Sequence, residues 1–444
     1  MMAADCRCAS EFQVAAGAVQ TLDAVVGLLR PHFHRPEAHA HAADYLRGLL
    51  ADVERKNGWQ LAERAGYPHP RGIQRVLARS AWDADAVRGA LRAWVVAERA
   101  DPRGVLVIDE TSFPKPGPQS VGVARQYCGS LGKLANCPVG VFLGYATARG
   151  HVGLDRALFV PEEWFMDRDR CRRAGIPPGL RHRTKPQLAR ELLERALDGG
   201  VPAAWVTADE VYGSDGKLRR ALEERGPAYV LAVRGNEKPT TWPPYGPPAQ
   251  VSVAEVAAAI PAEAWQWLSC GEGAQGPRLY DWAYRPLRPA LRAGWVHAVL
   301  VRRHADHPDE LAYYLVYAPV ETPLAELVRV AGARWTIDAT FKLAKGQVGL
   351  DHYEVRSWQG WYRHITLALV ALAALTSGAR KKGARRAPAT SRSPSPQSVG
   401  SSSAWSGRRR APDAILAWSR WRRHHQKVAQ ICHRRRRLRR EREL

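Results

Sequence analysis

Sulfur-bearing residues and long apolar runs are scarce in this chain, and each scarcity narrows what it does. Its 444 residues include three methionines and seven cysteines. The cysteines, at positions 6, 8, 128, 137, 171, 270 and 432, form no Cys-x-x-Cys pair and no paired zinc spacing. An odd, scattered set fits buried thiols in a reducing compartment rather than a disulfide framework. Cys6-Arg7-Cys8 alone is too sparse for a metal site. The longest apolar run, Ile365 to Leu375, falls far short of the ~20 residues needed to cross a bilayer. It reads as a buried helix. With no signal-peptide pattern at the N-terminus, the expectation is a soluble, cytoplasmic protein with no membrane partner. Lysine is also scarce, at 11 against 55 arginines. A GC-rich genome and bidentate phosphate recognition explain that bias equally well.

What is abundant is positive charge, and it is unevenly placed. The chain carries a net +23, which points to a polyanionic partner. Residues 377–444 hold twenty Lys/Arg against three acids, a net +17, so the preceding 376 residues are only mildly basic at +6. A basic tail of this kind gives salt-sensitive, sequence-independent affinity for DNA, or is a solvated extension with little effect.

Periodicity divides the chain into six parts. Residues 1–100 read as a helical N-terminal domain. Within it, Trp59–Ala65, the turn Gly66-Tyr67-Pro68, and Arg71–Arg79 resemble two short helices about a tight turn. Ile73, Val76 and Leu77 form the apolar stripe of the second, while Arg71, Gln74, Arg75 and Arg79 lie mostly elsewhere. Such a helix enters a DNA groove or is a solvated bundle face.

Residues 101–234 shift to strands at Gly104–Asp109, Pro138–Thr147, His151–Val160, up to Asp209, and Ala228–Val233. Helices are expected at Lys185–Leu197, opened by the capping box Thr184-x-x-Gln187, and at Lys217–Glu224. Residues 235–322 read as a β-rich insertion after the proline-rich loop 239–248, with strands at Leu279–Tyr284, Trp295–Arg302 and Leu311–Tyr317. In 323–378, Leu324–Ala344 and Gln359–Leu375 read as helices. A low-complexity linker, 379–410, and a basic helix or tail, 411–444, complete the chain. The fold class is α/β.

Three acids stand out. Asp109 ends Val105-Leu106-Val107-Ile108, Asp209 ends Ala204-Trp205-Val206-Thr207-Ala208, and Asp338 lies in Arg334-Trp335-Thr336-Ile337-Asp338 at the start of a helix. Two buried strand ends and one helix carrying carboxylates can hold a pair of divalent cations for phosphodiester chemistry. Arg334 and Lys345, eleven apart, fall about three turns apart on nearly one helix face, which suits phosphate positioning. Glu110 and Glu210 point to the other side of an extended strand and are not expected as ligands. His364 reads as a core or capping histidine. Tyr212, Trp335 and Trp361 read as packed aromatics, with base stacking the sharper alternative.

These stretches resemble bacterial insertion-sequence transposases of the DDE type. The resemblance is carried by Val107-Ile108-Asp109-Glu110-Thr111-Ser112-Phe113, by Thr207-Ala208-Asp209-Glu210-Val211-Tyr212-Gly213, and by Arg334-Trp335-Thr336-Ile337-Asp338. Gly349-Leu350-Asp351-His352-Tyr353-Glu354-Val355-Arg356-Ser357-Trp358, followed by Trp361-Tyr362-Arg363-His364, adds to it. It implies an RNase H-like core with a mixed five-stranded sheet, flanking helices and an inserted β domain.

The same resemblance implies catalytic and metal-binding roles for Asp109, Asp209 and Asp338 with two Mg²⁺ or Mn²⁺ ions, and DNA contacts from Arg334 and Lys345. The implied partner is double-stranded DNA, both transposon ends and target, bound by a homodimer in the synaptic complex of a nucleoid-associated bacterial enzyme. The family's late signature, Tyr-x2-Arg-x3-Glu-x6-Lys, has Ala331 at the Tyr position and Asp338 at the Glu position. Asp is one methylene shorter, roughly 1.5 Å less reach against metal–oxygen distances near 2.0–2.1 Å. Glu354 is the alternative third acid. Two rivals therefore stand beside a transposase: an impaired descendant that only binds DNA, and a structure-selective nuclease without strand transfer.

Overall fold

The structure, a computed structural model, describes residues 20–241, 248–273, 276–304 and 306–383, together with 431 and 435. Residues 431 and 435 are helical. Apart from these two, the serine-proline segment 391–406 and the basic stretch 412–438 lie outside the described residues. So do Cys6, Cys8 and Cys432, and residues 242–247 of the proline-rich loop.

After a helical stretch at 20–29 come α1 (Pro36–Leu50), α2 (Gly58–Arg64), α3 (Arg71–Ala78) and α4 (Ala84–Arg99). Asn57 caps α2 by accepting from the N–H groups of Trp59 and Gln60. On α3, Ile73, Val76 and Leu77 are buried as the periodicity requires, and Arg71, Gln74, Arg75 and Arg79 are exposed. The strands are β1 (Val105–Ser112), β2 (Ala124–Cys128), β3 (Lys133–Cys137), β4 (Val139–Thr147), β5 (Gly150–Phe159), β6 (Trp205–Ala208), β7 (Ala228–Val233), the short β8 (Thr240–Thr241) and β9 (Ala249–Gln250), and β10 (Gln266–Gly273), β11 (Gly276–Pro289), β12 (Trp295–Arg303) and β13 (Leu311–Pro319). The later helices are α5 (Glu162–Met166), α6 (Arg168–Ala174), α7 (Lys185–Asp198), α8 (Glu210–Gly213), α9 (Gly216–Arg225), α10 (Val253–Ala258), α11 (Leu324–Ala333), α12 (Trp335–Val348) and α13 (Trp358–Gly383).

Five strands form one end of the sheet in the order β5-β4-β1-β6-β7, with β5 at the edge. β1 pairs antiparallel with β4 and β4 with β5, while β1, β6 and β7 run parallel. This is the mixed α/β sheet with flanking helices expected of an RNase H-like core. The 266–319 strands do not form a sheet of their own. β13 pairs antiparallel with β7, and β12, β11 and β10 follow, extending the sheet to nine strands. The physical reason is that β7 is a buried run, Ala-Tyr-Val-Leu-Ala-Val, whose open edge β13 covers. One apolar core runs from Leu22 on the first helical stretch through the sheet to Ala374 on α13.

One expected element is divided. The helix anticipated over 324–344 is two helices that meet at Arg334. There the bonds tighten, with Arg334 N–H donating to the Ala331 carbonyl at 3.4 Å and Ile337 N–H to that of Arg334 at 3.2 Å. Arg334 itself keeps right-handed helical dihedrals, φ −53° and ψ −41°, so the interruption is one tightened turn just before Asp338. Gly332 makes it possible for α11 to lie against β10, since a Cβ there would sit 1.8 Å from the Cys270 carbonyl oxygen.

Candidate active site

β1 and β6 are parallel, with Ile108 opposite Ala208. The next residue on each chain is Asp109 and Asp209. β1 runs three residues past the end expected at Asp109, so one carboxylate leaves the middle of β1 and the other the end of β6, from backbone positions roughly 5 Å apart. Asp109 is buried, 9 % exposed, and its Oδ1 accepts the Glu110 N–H at 2.6 Å. Asp209 caps α8, accepting the Val211 N–H at 2.9 Å. Asp338 lies in the first turn of α12.

Asp109 feels the charge of both other acids. Burial, followed by the charge of Asp209, pushes the Asp109 carboxyl up to about 7, and Asp338 adds to the effect. Burial also raises Asp209, with Glu110 the next contributor, and raises Asp338. Arg334 opposes the rise at all three. Its Nη1 lies 3.9 Å from Asp109 Oδ2, beyond hydrogen-bond reach. Asp109 is buried, Asp209 half-buried and Asp338 exposed, and no cation of the protein makes a short contact with Asp109.

That donor set suits a hard divalent cation, which prefers carboxylate oxygens and reverses the cost of packing them together. Among the described residues, however, no three His, Cys, Asp or Glu side chains are gathered closely enough to hold one ion. Closing the set around a cation requires inward movement of the side chains.

The remaining candidates separate clearly. Lys345 does not stand free beside the acids. It donates to the Ser112 carbonyl at 3.3 Å, and burial lowers its pKa. Glu354 lies after the end of α12, which stops at Val348, and accepts from Asn57 Nδ2 at 3.0 Å. It is not among the charges that act on Asp109, whereas Asp338 is. His364 is fully buried. Its Nδ1 meets the Tyr45 hydroxyl at 2.7 Å and its Nε2 the Gly349 and Leu350 carbonyls at 3.2 and 3.1 Å, closing the turn after α12. Tyr212 and Trp361 are buried core residues, while Trp335 is 41 % exposed.

A brace around Glu110 was not legible in the sequence. Glu110 accepts from the Tyr212 hydroxyl and pairs with Lys185 at the start of α7. It ties the turn after Asp209 to the strand bearing Asp109. Gly213 completes that turn, because a Cβ there would lie 1.9 Å from the Ala232 carbonyl oxygen on β7. Gly213→Ala is expected to cost about 1–3 kcal/mol by overpacking and to displace Asp209. Denaturant unfolding and a cleavage assay check it, and an unchanged midpoint with full cleavage contradicts it.

The family description "DDE superfamily endonuclease" matches residues 28–273, more than half of the chain. The chain belongs to the DDE superfamily of endonucleases. The match takes in Asp109 and Asp209 and stops before Asp338. A curated relative, the probable transposase for insertion sequence element IS701 of Microchaete diplosiphon, is 32% identical over 196 residues, 43% of this chain and 47% of that protein. The chain spans about half the length of that relative. Among solved structures, the NurA nuclease from Sulfolobus solfataricus matches at 12% identity with a TM-score of 0.26, covering 54% of this chain and 78% of that one. A score that low carries no argument about the fold. Among the described residues, no helix is long and apolar enough to cross a membrane.

Proposed function

We propose that this DDE endonuclease is an insertion-sequence transposase that cleaves DNA ends and joins them to a target. The observation that carries the reading is the register that makes Asp109, midway along β1, and Asp209, just past the end of β6, neighbours, with Asp338 near enough to raise the Asp109 pKa. Asp109, Asp209 and Asp338 would hold two Mg²⁺ or Mn²⁺ ions. Such ions supply Lewis-acid activation of the attacking and leaving oxygens in an in-line displacement.

The chain's own residues do the rest. Asp109 and Asp209, side by side on the sheet, would set where the cations sit and so where the reacting phosphate is drawn. The Glu110–Tyr212–Lys185 brace holds the second acid in place. Arg334, poised on the acids without a short contact, is placed to turn outward onto a DNA phosphate. Lys345, which supports the end of β1 through the Ser112 carbonyl, would offer a second phosphate contact once DNA is bound. A homodimer joining two ends, and salt-sensitive affinity from the basic tail, belong to the same proposal.

The second reading is a descendant that binds DNA without cutting it. The Asp338 position and the open spacing of the three acids favour it. Labelled terminal-inverted-repeat DNA with Mg²⁺ separates the readings. Cleavage followed by joining supports a transposase, and binding alone supports the descendant. Cutting without end specificity supports a structure-selective nuclease.

Asp338 gives a sharper test. Asp338→Glu restores the reach of the longer side chain and is expected to preserve or raise cleavage. Asp338→Ala is expected to lower it on the order of 100-fold or more, the cost of about an ångström of misplacement. Full activity in the alanine variant, measured by single-turnover cleavage, would move the third ligand elsewhere.

A further inference from the structure

The β2–β3 hairpin has no part in the chemistry described above, and it is oddly dressed for a surface element. One side packs Cys128 and Cys137 on Val139. The other leaves Tyr127 64 % exposed and Leu134 62 % exposed, and these two face each other across the strands. At the tip, Leu131 is 48 % exposed. Three large apolar side chains on one short hairpin are too many for a solvated loop and mark a contact surface.

Charge identifies what it contacts. Between Glu110 and Asp155 the sequence has no acidic residue, whereas Arg125 and Lys133 lie on the hairpin; Lys115, near its base, is turned away onto the Tyr353 carbonyl at 2.7 Å. Arg125 and Lys133 are both exposed. Apolar side chains flanked by two exposed cations and no acid suit a polyanion with apolar layers inside it, which is a nucleic-acid duplex.

Position gives the register. The hairpin is fastened to Ser112, whose Oγ lies 3.3 Å from Ser130 Oγ, accepts the Ser130 N–H at 3.3 Å, and accepts from the Cys128 thiol at 3.3 Å. Asn136 Nδ2 fixes its base to the Lys115 and Gly117 carbonyls at 2.8 and 3.0 Å. Ser112 is three residues beyond Asp109 on β1, about 10 Å along the strand. That equals about three base-pair rises of a duplex.

We propose that the β2–β3 hairpin is a wedge that inserts Leu131, Tyr127 and Leu134 between base pairs, about three pairs from the phosphate seated at Asp109. Opening the stack there bends the duplex onto the acids. The inference rests on the endonuclease site proposed above, and deepens it by naming how the duplex is held.

The test uses full-length protein carrying Asp109→Asn and duplexes ending in the DNA that borders the coding sequence. 2-Aminopurine is placed at each of the first eight positions in turn. Binding is expected to raise its fluorescence at least twofold at one or two adjacent positions. Tyr127→Ser, Leu131→Ser and Leu134→Ser together should remove that rise while changing affinity, by anisotropy, less than threefold. With Asp109 intact, the triple variant should cut paired duplex at least tenfold more slowly, and two mismatches at the same step should restore the rate to within threefold.

No rise on binding, a rise unaffected by the triple substitution, or no rescue by mismatches would overturn the wedge. So would a triple variant whose only change is a lost dimer in sedimentation, which would make the hairpin a contact between copies. The fluorescence signal is read without cleavage. Failure of the unsubstituted chain to cut any duplex with Mg²⁺ therefore counts against the transposase reading and leaves the wedge to its own result.

Discussion

Asp109→Asn is expected to abolish cleavage and, in the same molecule, to make the metal-free protein more stable above neutral pH. Loss of a ligand from the cluster removes several kcal/mol of transition-state stabilisation, on the order of 1000-fold in rate. The gain in stability follows from the direction in which the pKa moves. The Asp109 carboxyl is raised from 3.8 to about 7 in the fold, first by burial and then by Asp209. Below the unfolded value both states are protonated and the residue costs nothing. As pH rises from about 4 to about 7, the unfolded chain releases the proton and the folded chain keeps it, so stability falls. Above that window the full penalty is present.

A tenfold change in proton affinity is worth about 1.4 kcal/mol. After allowance for relaxation around the cluster, relief of roughly 1–3 kcal/mol is reasonable, or a few degrees in Tm. Melting both proteins in EDTA at pH 8 and at pH 4.5 checks it. The asparagine variant should melt higher at pH 8, and the gap should close toward pH 4.5. A variant that melts lower at pH 8 would show that Asp109 is held by favourable contacts instead.

The largest loss of stability is expected from a residue outside the acid cluster. Asp155 on β5 is buried, and it meets Arg88 of α4 at 3.1 Å, Arg195 of α7 at 3.1 Å and Arg156 at 3.3 Å. Its Oδ1 also accepts the Arg156 N–H at 2.7 Å. Arg156 keeps a second partner in Asp85 at 2.8 Å. Arg88 and Arg195 have no such reserve among the ion pairs of the described residues.

Asp155→Asn leaves these cations facing one another where α4 and α7 meet the sheet. Breaking a buried pair in this way costs about 3–5 kcal/mol. The urea midpoint of Asp155→Asn against the parent protein measures it, and a change below about 1 kcal/mol would contradict the network's role. Truncating the exposed Arg190, paired with Glu194 within α7, should by contrast change little.

How much of this was readable from sequence alone depends on the signal each element carries. Core strands announced themselves because Val105–Ile108 and Tyr229–Leu231 are apolar runs buried on both faces. α7 was placed within a residue at its end by Thr184 and Gln187, whose reciprocal capping bonds are present. The two aspartates after apolar runs stand out by their place in the DDE-like stretches rather than by the runs alone, since such a residue is often a cap, as Asp209 is for α8.

What escaped notice lacked periodicity. β2 and β3 spell Ala-Arg-Gln-Tyr-Cys and Lys-Leu-Ala-Asn-Cys, with no β-branched residue in either. β10 contains glycines and a bulge between Ser269 and Glu272. The brace by Glu110 depends on Tyr212 and Lys185, brought to it across 102 and 75 positions. No local pattern reveals such a partner. The break at Arg334 is also tertiary, set by the approach of Gly332 to β10.

The most direct measurement counts manganese. Mn²⁺ titrated into the full-length protein, with free ion followed by electron paramagnetic resonance, should show two sites near neutral pH. Both should weaken together, by tenfold or more, in Asp109→Asn, and binding should fall as pH drops through about 7 and the Asp109 carboxyl takes up its proton. Absence of binding at millimolar Mn²⁺, or affinity unchanged by Asp109→Asn, would contradict the assignment of these acids as a shared cation site.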